Sequence, residues 1–158
     1  MAECKTNVMR ILERNKVPYK AHEYPHGKDP VDGVHVAALL GENPAAVFKT
    51  LVLQGADRGY YVFVVPVTHE LDLKKAAAAA NVKSVRMIPV SSIRAVTGYV
   101  RGGCSPLGMK KQFPTILDES ARAISHIIVS AGKIGYQIDL APQDLIRLAG
   151  GTFAPITA

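Results

Sequence analysis

The sequence predicts an α+β domain in which helices surround a mixed β-sheet. Two runs of β-branched and aromatic residues, 47–53 and 60–67, are separated by a segment containing three turn-forming residues, which indicates a β-hairpin at the centre of the sheet. Helical patterns lie between the predicted strands without a regular βαβ rhythm. No tract rich in Pro, Gly or Ser is longer than an ordinary loop, so we expect one domain over residues 1–158.

The elements before the hairpin are predicted from their capping residues and periodicity. Residues 6–15 place apolar side chains on one helical face, and Thr6 can cap the N-terminus of that helix. Residues 19–24 alternate in polarity and predict a strand. A second helix is expected over residues 34–40 and should end at Gly41, because glycine tolerates the left-handed conformation of a C-cap.

The elements after the hairpin follow from the same signals. A run of five alanines gives residues 71–80 a very high helix propensity and should allow this helix to pack closely on the sheet. The remaining predictions are a strand over 82–88, a helix over 91–96, strands over 124–130 and 136–140 around a turn at 131–133, and a helix over 142–148 that begins with a proline.

Composition limits the possible partners and compartments. The formal charge of +6 favours association with polyanions, although many basic proteins of this size bind no nucleic acid. The longest apolar stretches fall well short of the roughly 20 residues needed to span a membrane, so no membrane contact is expected. The two cysteines, Cys4 and Cys104, are far apart in the sequence, which argues against a disulfide framework and predicts a cytoplasmic protein.

Lys49 is the first candidate functional residue. Strand alternation places it on the same face as three large apolar residues, Val47, Leu51 and Leu53. If that face is buried, the ammonium group must be paired or must point into a polar cleft, because an unpaired buried charge is very costly. The alternative is an edge strand from which Lys49 reaches solvent.

A glycine-rich loop over residues 101–108 is the second candidate. Gly102 and Gly103 are adjacent and are followed by Cys104 and Ser105, so the loop could present backbone N–H groups to an anion or a carbonyl oxygen. Its spacing matches neither a dinucleotide fingerprint nor a phosphate loop, and an ordinary Gly-Pro turn remains an alternative. Cys104 could serve as a nucleophile, but no His or Asp follows it at a diagnostic spacing.

Three residues of the first strand region raise the question of a metal site. His22, Tyr24 and His26 alternate and can share one face of an extended segment. The spacing of the two histidines occurs in zinc sites, but no third ligand lies nearby in a recognisable pattern. We therefore predict neither a metal nor another cofactor.

Four segments together resemble a known family. They are HEYPH at 22–26, VFKTL at 47–51, LDLKK at 71–75 and, most specifically, TGYVRGGCSPLG at 97–108. With these segments the chain resembles the YbaK/EbsC-type aminoacyl-tRNA deacylases, which are relatives of the editing insertion domain of prolyl-tRNA synthetase. The resemblance spans nearly the whole sequence and implies the α+β fold of that family.

The resemblance also implies roles for individual residues. Lys49 would be the family's essential lysine, and Gly102 would contact the substrate carbonyl through its backbone. Tyr24 would line the pocket. The other substrate-binding residues implied by the resemblance are His26, Thr50, Gly103, Ser105, Gln137 and Asp139.

One position departs from the family pattern. Members often carry an acidic residue after a Lys-x-Gly turn, where this chain has Gln137 following Lys133 and Gly135. The contact to the substrate amino group would then fall to Gln137 or to Asp139, which lies two residues along the same strand.

The resemblance implies editing of a mischarged tRNA. The substrate would be cysteine attached to the proline tRNA, and the cysteine sulfur would attack its own ester carbonyl, so that no protein nucleophile is needed. Prolyl-tRNA synthetase is a candidate partner, and no DNA is expected. Two alternatives stay open: a deacylase for another small amino acid such as alanine, and a catalytically silent module that binds tRNA or a synthetase.

Overall fold

The structure is a computed structural model that describes residues 5–25 and 31–158, and these form two β-sheets with helices around them. The predicted α+β class is confirmed. The strands are β1 (Lys20–Glu23), β2 (Phe48–Gly55), β3 (Tyr60–Pro66), β4 (Val85–Met87), β5 (Thr115–Asp118), β6 (Ile127–Lys133), β7 (Tyr136–Leu140) and β8 (Thr152–Ala154). The α-helices are α1 (Asn7–Arg14), α2 (Gly33–Leu40), α3 (Leu73–Ala80), α4 (Val90–Thr97) and α5 (Pro142–Ala149), and short 3-10 helices occupy Pro44–Ala46 and Glu119–Ala123.

The larger sheet has five strands in the order β4-β2-β3-β5-β8 and is mixed, as predicted. Strands β2 and β3 form the expected antiparallel hairpin, in register from Phe48 opposite Pro66 to Gln54 opposite Tyr60. Strand β5 pairs in parallel with β3, and β8 pairs in parallel with β5. The hairpin therefore occupies the centre of this sheet.

The smaller sheet is antiparallel, with the order β1-β7-β6. It is joined to the larger sheet by an isolated parallel bridge between Val47 and Ile128. Apolar side chains from both sheets and from α1 form the main core, which includes Val8, Phe48, Val62, Val129 and Ile138. The two sheets are thus held together by one continuous core.

The outer edge of β2 has a gap between its two neighbours. The bridge to Ile128 is made at Val47, and β4 pairs with β2 only from Leu53 to Gly55. Within the described residues, the part of this edge between those two points has no ladder partner. The backbone and side chains of Lys49, Thr50 and Leu51 therefore border an opening in the fold.

The helix caps agree with the sequence. The Thr6 hydroxyl accepts a hydrogen bond from the backbone N–H of Met9 at 3.3 Å, as expected for the N-cap of α1. Gly41 ends α2 with φ of 68°, the left-handed conformation expected of a glycine C-cap. The alanine-rich helix α3 buries Ala76 and Ala77 against the opposite face of the larger sheet.

The predicted turn at 131–133 is wrong. Strand β6 continues to Lys133, and the chain reverses at Ile134 and Gly135. Gly132 adopts φ of 96°, but it does so within an irregularity of the ladder between Ser130 and Lys133. A glycine at a β-bulge and a glycine at a hairpin turn give the same sequence signal, and here the bulge accounts for it.

Two strands, β5 and β8, were not predicted. They are only four and three residues long, so neither shows a resolvable alternation. Each pairs in parallel with a strand that is distant in the sequence: β5 with β3, and β8 with β5. Local sequence does not reveal such pairing. No helix within the described residues has the length and apolar character needed to cross a membrane.

Candidate functional site

A cleft with a volume of about 200 Å³ lies at the gap along β2. Strand β2 forms one side of it, and helix α2, the start of the glycine-rich loop and strands β6 and β7 form the rest. Its lining residues are Tyr24, Val31, Gly33, Val36, Val47, Phe48, Lys49, Thr50, Leu51, Val67, Arg101, Gly102, Cys104, Ser130 and Gln137.

Lys49 projects from β2 into this cleft. Its side chain is 31% exposed, so it is neither fully buried nor extended into solvent. Of the two interpretations of the sequence, the polar cleft is therefore the one that the structure supports. Its Nζ atom lies 3.8 Å from Oε1 of Glu70, whose side chain is 87% exposed.

Two further polar side chains line the cleft beside Lys49. The Oγ1 atom of Thr50 is buried and has no hydrogen-bond partner among the described residues. Gln137 is buried on β7, directly opposite Ser130 on β6. A hydroxyl and an amide therefore line the same cleft as the ammonium group, and a buried hydroxyl without a partner among the described residues favours a ligand that can bond to it.

The glycine-rich loop closes the cleft on the side of α4. Gly102 is exposed there and has φ of 85°, a conformation that residues with a Cβ rarely adopt. Gly103 is buried, and a Cβ atom on it would come within 3.0 Å of the backbone nitrogen of Ile134. The backbone N–H of Gly103 donates to the carbonyl of Val100 at 3.0 Å, so this group holds the loop in shape.

The rest of the loop is fixed by internal hydrogen bonds. Ser105 is fully buried, and its hydroxyl accepts from the backbone N–H of Leu107 at 3.3 Å. The Tyr99 hydroxyl donates to the carbonyl of Leu107 at 2.5 Å. Thr97 accepts from the backbone N–H of Tyr99 at 3.0 Å and donates to the carbonyl of Ile93 at 2.8 Å. The conformation of the loop is therefore set before a ligand arrives.

Cys104 lines the cleft, but its thiol is poorly suited to act as a nucleophile. Burial raises the pKa of the Cys104 thiol to about 11, and a hydrogen bond with Thr97 offsets only part of this. Burial, together with the nearby Cys104, also raises the pKa of Tyr99 to about 12. Because the thiolate is the reactive form, Cys104 is almost entirely unreactive near neutral pH.

Asp139 lies away from the cleft. Its carboxylate is 2.6 Å from Nδ1 of His126 and 3.6 Å from Nε2 of His22, and its side chain is 8% exposed. It borders a separate groove formed with Pro18 and other residues around the ends of β1 and β7. Its position gives no support to a contact with a substrate held in the cleft.

The structure brings five of the nine predicted site residues into one cleft: Lys49, Gly102, Tyr24, Thr50 and Gln137. Gly103 and Ser105 lie behind its surface, where they shape the loop. His26 lies outside the described residues, and so does the question whether His22 and His26 share one face. Among residues 5–25 and 31–158, no three His, Cys, Asp or Glu side chains are grouped in a way that could hold a metal ion.

Comparison with known proteins identifies the family. Residues 31–148 match the model of the aminoacyl-tRNA editing domain. This segment contains most of the cleft, including Lys49 and the glycine-rich loop. The chain belongs to the aminoacyl-tRNA editing domain family.

One curated relative and two solved structures resemble the chain over nearly its full length. The chain is 52% identical over 153 residues to a protein of Enterococcus faecalis named "Putative Cys-tRNA(Pro)/Cys-tRNA(Cys) deacylase EbsC", and the match covers 97% of this chain and 93% of the relative. A solved structure described as "Crystal structure of a putative trans-editing enzyme for prolyl tRNA synthetase" superimposes with a TM-score of 0.82 at 25% identity, covering 96% of this chain and 94% of the other. The hypothetical protein APE2540 shares the fold, with a TM-score of 0.85 at 20% identity over 96% of this chain and 99% of its own.

In this member of the aminoacyl-tRNA editing domain family, helix α2 forms a cleft wall that sequence reasoning missed. Gly33 and Val36 line the cleft, and a Cβ atom on Gly33 would lie 2.1 Å from Cγ1 of Val67. The helix therefore approaches the end of β3 as closely as glycine allows. The sequence shows the glycine at the start of the helical pattern, but not the strand against which it packs.

Proposed function

We propose that this protein is a trans-editing deacylase that releases cysteine from mischarged tRNA, with the proline tRNA as its substrate. The observation that carries the proposal is the convergence of Lys49, Thr50 and Gln137 with the exposed Gly102 in one cleft. A cation and a glycine backbone at the same opening suit an ester whose carbonyl oxygen gains negative charge during reaction. The name of the Enterococcus faecalis relative supports cysteine as the amino acid and includes the proline tRNA beside the cysteine tRNA.

The reaction we propose uses the thiol of the substrate. The cysteine sulfur forms a bond to its own ester carbonyl carbon, and the bond from that carbon to the 3′-terminal ribose oxygen breaks. The ribose oxygen takes up the proton that the thiol loses, which leaves free tRNA and a cyclic thiolactone. The raised pKa of Cys104 supports this route, because the thiol of the protein is protonated under conditions in which a substrate thiol is partly ionised.

In this mechanism the protein holds the substrate and stabilises the charge on its carbonyl oxygen, and no protein group attacks the ester. The backbone at Gly102 would donate to the carbonyl oxygen, and the Lys49 ammonium group would stabilise the charge that develops there. The hydroxyl of Thr50, which has no partner among the described residues, and the amide of Gln137 would bond the amino group or the ribose. Holding the sulfur close to the carbonyl would supply much of the rate enhancement.

The decisive experiment is a deacylation panel with purified cysteinyl-, alanyl- and seryl-tRNA. We expect cysteine to be released fastest, with thiolactone as the first product detected by mass spectrometry. Serine should be released slowly, because a hydroxyl is far less ionised than a thiol with a pKa of about 8.5. Faster release of alanine would favour a different editing specificity, and release of none would favour a silent binding module.

Three further features belong to the proposal. The chain would work as one domain over residues 1–158, and it would do so in the cytoplasm, where tRNA is charged. The likeness to a trans-editing enzyme for prolyl-tRNA synthetase makes that synthetase a candidate partner. Co-purification of the protein with that synthetase and tRNA tests this partner directly.

A further inference from the structure

The positive charge of the chain is concentrated in one segment. Residues 73–117 contain eight Lys and Arg residues and no Asp or Glu. Since the whole chain carries a formal charge of +6, the remaining residues together carry −2. All eight of these cationic residues are exposed. The net positive charge available to a polyanion therefore comes from this segment, which includes α3, β4, α4 and the glycine-rich loop.

A second groove lies within this segment, immediately beside the cleft. It has a volume of about 290 Å³ and lies between β2, β4, α4 and the start of the glycine-rich loop. It shares five lining residues with the cleft: Thr50, Leu51, Arg101, Gly102 and Cys104. The cleft and the groove are therefore adjacent, so one ligand can extend from the cleft into the groove.

The far wall of the groove is apolar but open to solvent. Met87 and Val90 line it, and they are 53% and 57% exposed, which is unusual for large apolar side chains. Val90, Ile93 and Arg94 are three and four residues apart on α4, so they share one helical face. An exposed apolar wall thus has a cation at its rim.

Arg101 lines the groove, and Arg94, Lys110 and Lys111 are further exposed cations of the same segment. Among the described residues, Arg94, Arg101, Lys110 and Lys111 form no ion pair with any carboxylate. The backbone N–H of Lys110 donates to the carbonyl of Thr97 at 3.0 Å, and its aliphatic chain lies against Gly98, which places it at the C-terminal end of α4. Four free cations therefore lie on α4 and the loop that follows it.

We infer that this groove binds the single-stranded 3′ end of aminoacyl-tRNA. The apolar wall would contact the terminal base, and Arg101 in the lining and Arg94 on the same face of α4 as Val90 would contact the adjoining phosphates. The inference rests on the proposed function, because an amino acid held in the cleft is covalently attached to the terminal nucleotide, which must then lie next to the cleft. Sites for single-stranded nucleic acid combine cations for the backbone with side chains that contact the faces of the bases, usually aromatic ones; in this groove Met87 and Val90 provide an apolar surface in place of a ring.

Binding of uncharged RNA tests this inference separately from deacylation. The probe is a fluorescent acceptor-stem minihelix with a single-stranded 3′ end, and anisotropy measures its affinity. Val90→Glu and Arg94→Gln should each weaken binding by about 10-fold, because the first places a carboxylate on the apolar wall and the second removes a phosphate contact. Val90 is exposed, so its substitution leaves the core intact.

Arg58→Gln is the matched control. Arg58 is an exposed cation in the turn beyond the far end of β2, outside the lining of the groove. It should change affinity by less than about 2-fold. Affinity of the wild-type protein should fall steeply between about 50 and about 200 mM salt, and Arg94→Gln should reduce this dependence.

A minihelix without its single-stranded 3′ end should bind the wild-type protein more weakly and should not distinguish Val90→Glu from wild type. Equal losses in Arg58→Gln and Arg94→Gln would show diffuse electrostatic binding and would overturn the inference. Full affinity of Val90→Glu would also overturn it. If the groove variants lose RNA binding but the wild-type protein deacylates nothing, the proposed function fails and the binding site stands.

Discussion

The ammonium group of Lys49 lies 3.8 Å from the carboxylate of Glu70, and the two side chains are 31% and 87% exposed. An ion pair in which one partner is this exposed stabilises a protein by at most about 1 kcal/mol, because water screens it and holding the side chains together costs entropy. Glu70 therefore does not hold Lys49 in place. The lysine is free to exchange this contact for one with a substrate in the cleft.

Replacing Lys49 should impair deacylation without unfolding the protein. We expect Lys49→Ala to slow release of cysteine from tRNA by about 100-fold, because it removes the charge proposed to stabilise the carbonyl oxygen. Lys49→Arg should not restore the rate, since a planar guanidinium group cannot reproduce the position of an ammonium group. Single-turnover deacylation measures the rate, and thermal unfolding followed by circular dichroism checks the fold.

Glu70→Gln provides the control for this prediction. It removes the only carboxylate that forms an ion pair with Lys49 in the described part of the chain, and it leaves the ammonium group in place. We expect its rate to stay within about 3-fold of wild type, as the energy of an exposed pair implies. Full activity in Lys49→Ala would show that the lysine has no part in the reaction.

Gly103 should be essential for a steric reason. Gly103→Ala would place a Cβ atom 3.0 Å from the backbone nitrogen of Ile134 and 3.3 Å from the backbone of Lys133. Backbone atoms of a paired hairpin cannot move aside easily, so the glycine-rich loop should shift and carry Gly102 out of position. We expect deacylation to fall by at least about 10-fold, since small displacements of positioning groups have large effects on rate.

Gly150→Ala is the comparison for Gly103→Ala. Gly150 ends α5 with φ of 63°, and a Cβ atom added to it would meet no other atom within 4 Å. Its replacement should lower the free energy of unfolding by about 1 kcal/mol through backbone strain and should leave deacylation unchanged. If both variants lose stability alike and neither loses activity, the loop is not part of the site.

The sequence predicted the central elements of the fold because their signals are local. The β2–β3 hairpin, the caps at Thr6 and Gly41, and the alanine-rich helix α3 each depend on residues close together in the chain. Strands β5 and β8 depend instead on parallel pairing between distant segments, and they are too short to show alternation. The division into two sheets is likewise a property of long-range packing.

The candidate site, like the fold, could be predicted from the sequence only in part. Lys49 could be identified from the sequence because a cation within an apolar strand is itself anomalous. Gly103 and Ser105 were grouped with the substrate-binding residues because they share a motif with Gly102, and only the structure shows that they shape the loop from behind. Asp139 follows Gln137 on the same strand, yet its partner is His126. Sequence proximity does not show which cavity a side chain faces.

Asp139 should contribute to stability rather than to catalysis. Its buried carboxylate accepts a short hydrogen bond from His126 at 2.6 Å, so we expect Asp139→Asn to lower the free energy of unfolding by about 1–3 kcal/mol. Asp144→Asn serves as a comparison, because Asp144 pairs only with the exposed Arg147 among the described residues and should cost less than about 1 kcal/mol. Urea denaturation measures the free energy of unfolding of both variants. A loss of deacylation in Asp139→Asn without a loss of stability would show that Asp139 takes part in the reaction.

The last prediction concerns the thiol that attacks the ester. Cys104→Ser should keep most of the activity, because the thiol of Cys104, with a pKa of about 11, is protonated near neutral pH. Blocking the sulfur of cysteinyl-tRNA by alkylation should abolish release. If alkylation of the substrate stops the reaction and Cys104→Ser does not, the reacting sulfur belongs to the substrate.

The pH dependence of the wild-type rate tests the same assignment independently. A thiol reacts as its thiolate, so the rate should rise with pH and level off above the pKa of the attacking group. For the substrate thiol the rate should reach half its maximum at about pH 8.5 and level off by about pH 9.5, whereas for Cys104 the rate would still be rising at about pH 10. Release should be measured from about pH 6 to about pH 10.5, with uncatalysed ester hydrolysis subtracted at each point. A rate that climbs throughout this range, together with a covalent acyl-enzyme seen by mass spectrometry, would make Cys104 the nucleophile, because only a protein thiol with a raised pKa accounts for both.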